Sequence, residues 1–237
     1  MKKLGGIFVV GCLLCLAAAS ANAQDMGKFS VFAGYSWTTN TIDNGICEGY
    51  YCGNSTGLNG YTGSVVYNFN DHVGLEGNFS GHNGSPLAGS CTSPSDSCPF
   101  GDTLLTTKLH QDLYTYTFGP KFTVPVGNFS LFAHVLVGGA HVHEGVADGE
   151  CFISGGGDPC DVFNSAHLAG NGFAFKTGGG VDWNHGRWGI RLLEVDYVHI
   201  AASVNDQTDG STEVFKYSVP ANNIELAAGI TFNIGRR

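Results

Sequence analysis

Charge is scarce in this 237-residue chain: only 13% of residues are Asp, Glu, Lys or Arg, and the 11 basic residues are outnumbered by 20 acidic ones, for a net charge of −9. So few cations exclude a nucleic-acid surface and electrostatic docking on anionic lipid. Long apolar runs are missing too. Beyond the first two dozen residues nothing approaches the ~18 uninterrupted apolar positions of a membrane-crossing helix. Helical periodicity is equally absent, although 43% of the residues are hydrophobic, and proline and methionine are sparse at 7 and 2. The abundant residue is glycine, at 36. In strands it permits tight bends and close backbone approach.

The N-terminus supplies an address. Lys2 and Lys3 precede Ile7-Phe8-Val9-Val10 and Leu13-Leu14-Cys15-Leu16, and Ala21-Asn22-Ala23 offers small residues for cleavage. This reads as a secretory signal peptide over residues 1–23, leaving one domain, 24–237. A lipoprotein reading through Cys12 is the alternative. Loss of Lys2 and Lys3 with the leader brings the net charge to −11. Six cysteines remain in three sequence-local pairs: Cys47 and Cys52, Cys91 and Cys98, Cys151 and Cys160. Six allow 15 connectivities. Each pair falls within one connection, and an oxidising compartment favours disulfides, so local pairing is expected.

The last stretch organises the rest. Ile224, Leu226, Ala228, Ile230, Phe232 and Ile234 fall on one parity, and Asn223, Glu225, Ala227, Gly229, Thr231 and Asn233 on the other. Successive strand side chains point to opposite faces, so this is a ribbon with one greasy and one small, polar side. Seven earlier segments repeat the pattern, at about 28–38, 58–69, 73–81, 109–122, 129–141, 172–183 and 188–200. Even-numbered connections are roughly 3–5 residues and odd-numbered ones roughly 19–29, against the short links usual in compact domains. That alternation, with aromatics near both strand ends, predicts an all-β, eight-stranded antiparallel up-and-down transmembrane barrel with short turns at one end and long loops at the other. A soluble lipocalin-like barrel is the competing architecture.

Parity assigns Glu76, Lys121, Lys176, Asp182, Glu194, Asp196 and Glu225 to the lumen as a charge network, with His134 a further candidate and Phe32 an apolar exception. Buried carboxylates need partners or water. Eight strands leave an interior that side chains roughly fill, which argues for a plug over a wide channel. Arg191 falls on the outer parity, to snorkel near the turn, unless a bulge resets the register.

Catalytic signals are thin. Ser165, His167 and Asp161 share a loop without the spacing of a Ser-His-acid arrangement, and no enzyme is expected. His141, His143 and Glu144 share a strand end, yet one strand rarely completes a metal site. Neither metal nor cofactor is expected.

The chain resembles the OmpA-type eight-stranded outer-membrane β-barrel family, as a small porin-like transmembrane domain alone, over essentially all of 28–237. The resemblance is carried by Asn70-Asp71-His72-Val73-Gly74-Leu75-Glu76-Gly77, by Phe118-Gly119-Pro120-Lys121, by Gly178-Gly179-Gly180-Val181-Asp182 and by the closing strand. Gly229, Phe232 and Ile234 are spaced like the family's C-terminal assembly signal, which implies the outer-membrane insertion machinery as a partner. The chain departs from that pattern by continuing through Gly235-Arg236-Arg237 and by carrying Ala227 where a polar residue is usual. The resemblance implies the outer membrane of a Gram-negative-type bacterium, contact with its lipid, and a monomer. Function is expected to lie in surface interaction or envelope integrity, through loops facing a host or surface ligand. Narrow-pore transport and lipid A modification are the alternatives.

Overall fold

The computed structural model describes residues 27–39, 57–84, 87–90, 105–146, 152–153, 167–206 and 215–235. The strands are β1 (Phe29–Thr38), β2 (Leu58–Asn68), β3 (Val73–Gly84), β4 (Leu87–Ser90), β5 (Leu105–Val126), β6 (Phe129–Val146), β7 (Phe152–Ile153), β8 (His167–His185), β9 (Trp188–Asp206) and β10 (Phe215–Ile234). Eight form the wall in the order β3-β2-β1-β10-β9-β8-β6-β5, and antiparallel pairing of β3 with β5 closes it. The short β4 and β7 pair with the start of β5, outside the closed circuit. Closure leaves the wall without a free edge, the condition for a sheet to cross hydrocarbon.

The chain ends form the last seam. β1 and β10 pair from Phe29↔Ile234 to Thr38↔Glu225, with Gly34 facing Gly229. A Cβ at Gly34 would run into the Ala228 carbonyl and one at Gly229 into the Ala33 carbonyl, so only hydrogen fits between these backbones. At the opposite corners, β5 passes to β6 through Gly127-Asn128 and β8 to β9 through Gly186-Arg187. Gly127 and Gly186 hold φ of 60° and 64°, a region costly for other residues. In the turn before β3, Asn70 Oδ1 accepts from the amides of His72 and Val73, both at 2.8 Å.

Burial is inverted relative to a soluble protein. Phe69, Leu75, Phe79, Tyr116, Phe118, Phe122, Val195 and Ile230 stand exposed on the outside, while Glu76, Lys121, Lys176, Arg191, Glu194, Asp196 and Glu225 are buried inside. A lipocalin-like barrel would show the reverse, so that architecture is excluded.

The structure corrects two expectations. First, the wall is taller: β5, β6, β8, β9 and β10 run 22, 18, 19, 19 and 20 residues, where a crossing needs only ~9–11. The strands reach past the predicted ends, so the last long connection narrows from about 201–221 to residues 207–214. β1, β2 and β3 stay at 10, 11 and 12 residues, which makes the loop-side rim oblique. Second, Arg191 points inward. On β10, Ala227 pairs with Glu194 and Gly229 with Arg191. On β8, Val181 pairs with Leu193 and Asp182 with Arg191. β9 therefore carries one extra residue, and Leu192 and Leu193 both face outward at 51% and 49% exposure while Arg191 is 2% exposed. The bulge resets the parity.

Candidate functional site

The lumen holds two tiers of side chains. The turn-side tier is ionic. Arg191 Nε and Nη2 donate to the two carboxylate oxygens of Asp182 at 2.8 and 3.2 Å, and Nη1 donates to Glu194 Oε2 at 2.6 Å. Its guanidinium lies between the rings of Phe32 and Phe132, at 3.9 and 4.3 Å from their centroids. Lys121 Nζ sits 3.9 Å from the Phe132 centroid and 3.8 Å from Glu76 Oε2. The rings present their negative faces to these cations in a site closed to bulk solvent, where such contacts are strongest.

His134 links two carboxylates: Nδ1 lies 3.1 Å from Glu76 Oε2 and Nε2 lies 3.0 Å from Asp196 Oδ1. Carboxylates only accept, so the Glu76–His134–Asp196 line is complete with a proton on each of its two contacts. Lys176, fully buried, donates to Glu225 Oε2 at 2.8 Å and to Asn78 Oδ1 at 3.1 Å, with Asp196 Oδ2 at 3.9 Å. Glu225 also faces His82 at 3.9 Å, and His82 Nε2 shares a hydrogen bond of 2.8 Å with Ser36.

All seven residues assigned to the lumen by parity thus sit in this network. Arg191 and His82 complete it. Arg191 enters through the bulge, the alternative to its outward parity. His82 lies beyond Gly81, where the sequence pattern ends β3. His134, Glu194 and Asp196 bring ligand atoms within 4.8 Å of one another, a spacing compatible with a cation. Filling it would mean displacing Arg191 from Glu194 and crowding Lys176 beside Asp196.

On the loop side lies a second, apolar tier of Leu58, Leu113, Val142, Ala174, Val198 and Ile200, with further alanines, all buried together. Below the ionic tier, a cavity of about 20 Å³ touching Ser64, Lys121, Asp182 and Thr231 has room for about one water. Among the described residues, the lumen is filled.

The remaining candidates are dispersed. Gly229, Phe232 and Ile234 lie on the closing strand, with Phe232 4.5 Å from Trp188 between ring centroids. His141 points outward and Nδ1 donates to Asn171 Oδ1 at 2.9 Å. Cys47, Cys52, Cys91, Cys98, Cys151 and Cys160, Asp161, Ser165 and the signal peptide lie outside the described residues, as do the side chains of Glu144 and His167.

An ionic interior within a closed antiparallel wall and an apolar exterior define a transmembrane barrel, and comparison with known proteins agrees. The outer membrane protein beta-barrel domain family matches residues 8–150. The chain belongs to this family. No curated protein matches the sequence. Among solved structures, this outer-membrane barrel is similar to Neisserial surface protein A, at 9% identity and a TM-score of 0.50, covering 89% of this chain and 100% of that one. It is also similar to Ail, the attachment invasion locus protein of Yersinia pestis, in complex with the heparin analogue sucrose octasulfate, at 17% identity and 0.47, covering 87% and 99%. A third likeness is to the outer membrane protease OmpT of Escherichia coli, at 8% and 0.43, covering 92% and 100%. Identities this low speak of fold alone.

Membership of this family makes the protein a β-barrel of the outer membrane of a Gram-negative-type bacterium. Its short turns are periplasmic and its tall rim extracellular.

Proposed function

We propose that this barrel works at the cell surface, presenting its extracellular rim and loops to a host or surface ligand or bracing the envelope, rather than conducting solutes. The observation that carries this reading is the filled lumen. A solute on the axis would meet the packed Leu113, Val142, Val198 and Ile200 tier and then the Arg191, His134 and Lys176 salt bridges. Opening the ionic tier would leave buried charges unpaired, which costs several kcal/mol per ion.

The tall wall supports the same reading. β5, β6, β8, β9 and β10 continue well beyond a bilayer crossing before the long connections begin. Disulfides within the Cys47/Cys52, Cys91/Cys98 and Cys151/Cys160 pairs would stiffen those connections and lower the entropy cost of binding. The acidic balance, 20 acidic residues against 11 basic, disfavours a polyanionic ligand.

The test compares cells displaying the intact protein with cells whose connection 207–214 or 40–56 is replaced by a short turn. Attachment to host-cell and matrix surfaces should fall with the replacement while the barrel still assembles. Unchanged attachment contradicts the surface-ligand reading, and unchanged detergent sensitivity of a strain lacking the protein contradicts the bracing one. For the enzymatic alternative, lipid A mass spectra of strains with and without the protein should be identical.

A further inference from the structure

On the membrane-facing side, β1, β2, β3 and β5 carry a shallow apolar groove of about 510 Å³. Register explains its shape. One row across the strands reads Val31–Val65–Gly77–Phe118 and the next reads Ala33–Gly63–Phe79–Tyr116. The two glycines are diagonal neighbours, so they open an oblique slot between a valine wall and an aromatic wall. Phe79 extends that wall toward Tyr61 and Tyr114, with ring centroids 6.1 and 6.4 Å apart. A Cβ built at Gly77 meets nothing within 4 Å, and one at Gly63 meets only the Phe32 carbonyl oxygen, at 3.3 Å. The glycines are therefore not demanded by wall packing here, unlike Gly34 and Gly229 at the seam.

The β1 and lower β3 side of the slot lies in the periplasmic half of the wall, and the slot climbs obliquely from there toward Tyr116 on β5. Val31 and Gly77 are two and four residues from the periplasmic ends of β1 and β3, within ~13 Å along the strand at ~3.3 Å per residue. Half the hydrocarbon thickness is ~15 Å. Three residues before Val31, the exposed Lys28 holds its Nζ 5.7 Å from the Tyr67 ring centroid. Phe29 packs edge-on against that same ring at 5.2 Å. A cation thus stands at headgroup level, one aromatic row (Phe29–Tyr67) below an acyl-sized slot that is continuous with the lipid-facing belt.

We propose that this groove is a lipid-binding site: it seats one acyl chain of a periplasmic-leaflet phospholipid, whose phosphate is met by Lys28. Valine and aromatic walls supply dispersion contacts to a methylene chain. The glycine floor lets the chain approach the backbone, and the ammonium fixes the anionic end at the interface.

The experiment is native mass spectrometry of the purified full-length barrel after incubation with dioleoylphosphatidylglycerol. The wild type should carry a one-lipid adduct. Gly77→Leu, which fills the slot without a backbone clash, should lose it while retaining the heat-modifiable gel mobility of a folded barrel. Lys28→Gln should weaken the adduct. Val195→Leu, an apolar exchange on the lipid-facing side of β9, should leave it unchanged. An absent wild-type adduct, an adduct that survives Gly77→Leu, or a two-copy species dispersed by Gly77→Leu would each overturn the proposal. The last outcome would make the slot a protein–protein contact.

Discussion

Substituting Arg191 with Met is the sharpest perturbation of the ionic tier. It removes three N–H···O contacts, at 2.8, 3.2 and 2.6 Å, and the guanidinium held between Phe32 and Phe132. Hydrogen bonds to charged groups contribute about 1.5–3 kcal/mol each. The larger effect is what remains: Asp182 and Glu194 keep their charges inside the lumen without their main cation. Removing one partner of a buried pair costs about 3–5 kcal/mol, and here two carboxylates share one guanidinium, so Arg191→Met should lie toward the upper end. If stranded charge is the cause, removing the charge should restore stability. Arg191→Met combined with Asp182→Asn and Glu194→Gln should cost less than about 2 kcal/mol, because a neutral replacement of a buried ionic cluster is often tolerated. Arg191→Lys should fall between, keeping the charge but losing the planar fork. Urea titration of the barrel in lipid vesicles, followed by tryptophan fluorescence and gel mobility, gives the differences. A single variant costing under about 1 kcal/mol, or a triple variant as unstable as the single one, would refute the reasoning.

Three further outcomes are expected. Val195→Arg on the lipid face should destabilise the barrel by about 2–4 kcal/mol if the site is near the midplane; a loss under about 1 kcal/mol would place it at the interface. Gly229→Val should block seam closure, since its Cβ meets the Ala33 carbonyl, and the folded fraction on an unheated gel should collapse. A normal fraction would mean that the seam can relax. Non-reducing peptide mapping should find Cys47–Cys52, Cys91–Cys98 and Cys151–Cys160 disulfides, each worth no more than about 2–3 kcal/mol given the short loops closed. Reduction should spare the barrel; cross-loop pairs or six free thiols would contradict this.

What the sequence could reveal followed from local pattern. On β10, strict alternation from Asn223 to Ile234 placed Glu225 inside and Ile224, Leu226 and Ile230 outside, as the wall has them. On β9 the same rule failed at one residue. A bulge leaves no mark in hydropathy when both residues it adds to the outer face are leucines, so Arg191 read outward although it anchors the tier. Strand height was illegible for a related reason. Above the ionic tier the inner face turns apolar at Leu113, Val142, Val198 and Ile200, so inside and outside cease to differ and the alternation that marks a strand fades. The network's pairings, such as His134 between Glu76 and Asp196, join residues 58 and 62 apart in sequence and depend on closure, which no local pattern encodes.

The filled lumen is the central claim, and single-channel recording of the purified barrel in planar bilayers tests it most directly. The Leu113–Ile200 tier and the Arg191–His134–Lys176 salt bridges predict a silent membrane at neutral pH in both orientations. Stable, stepwise conductance from the intact protein would contradict it.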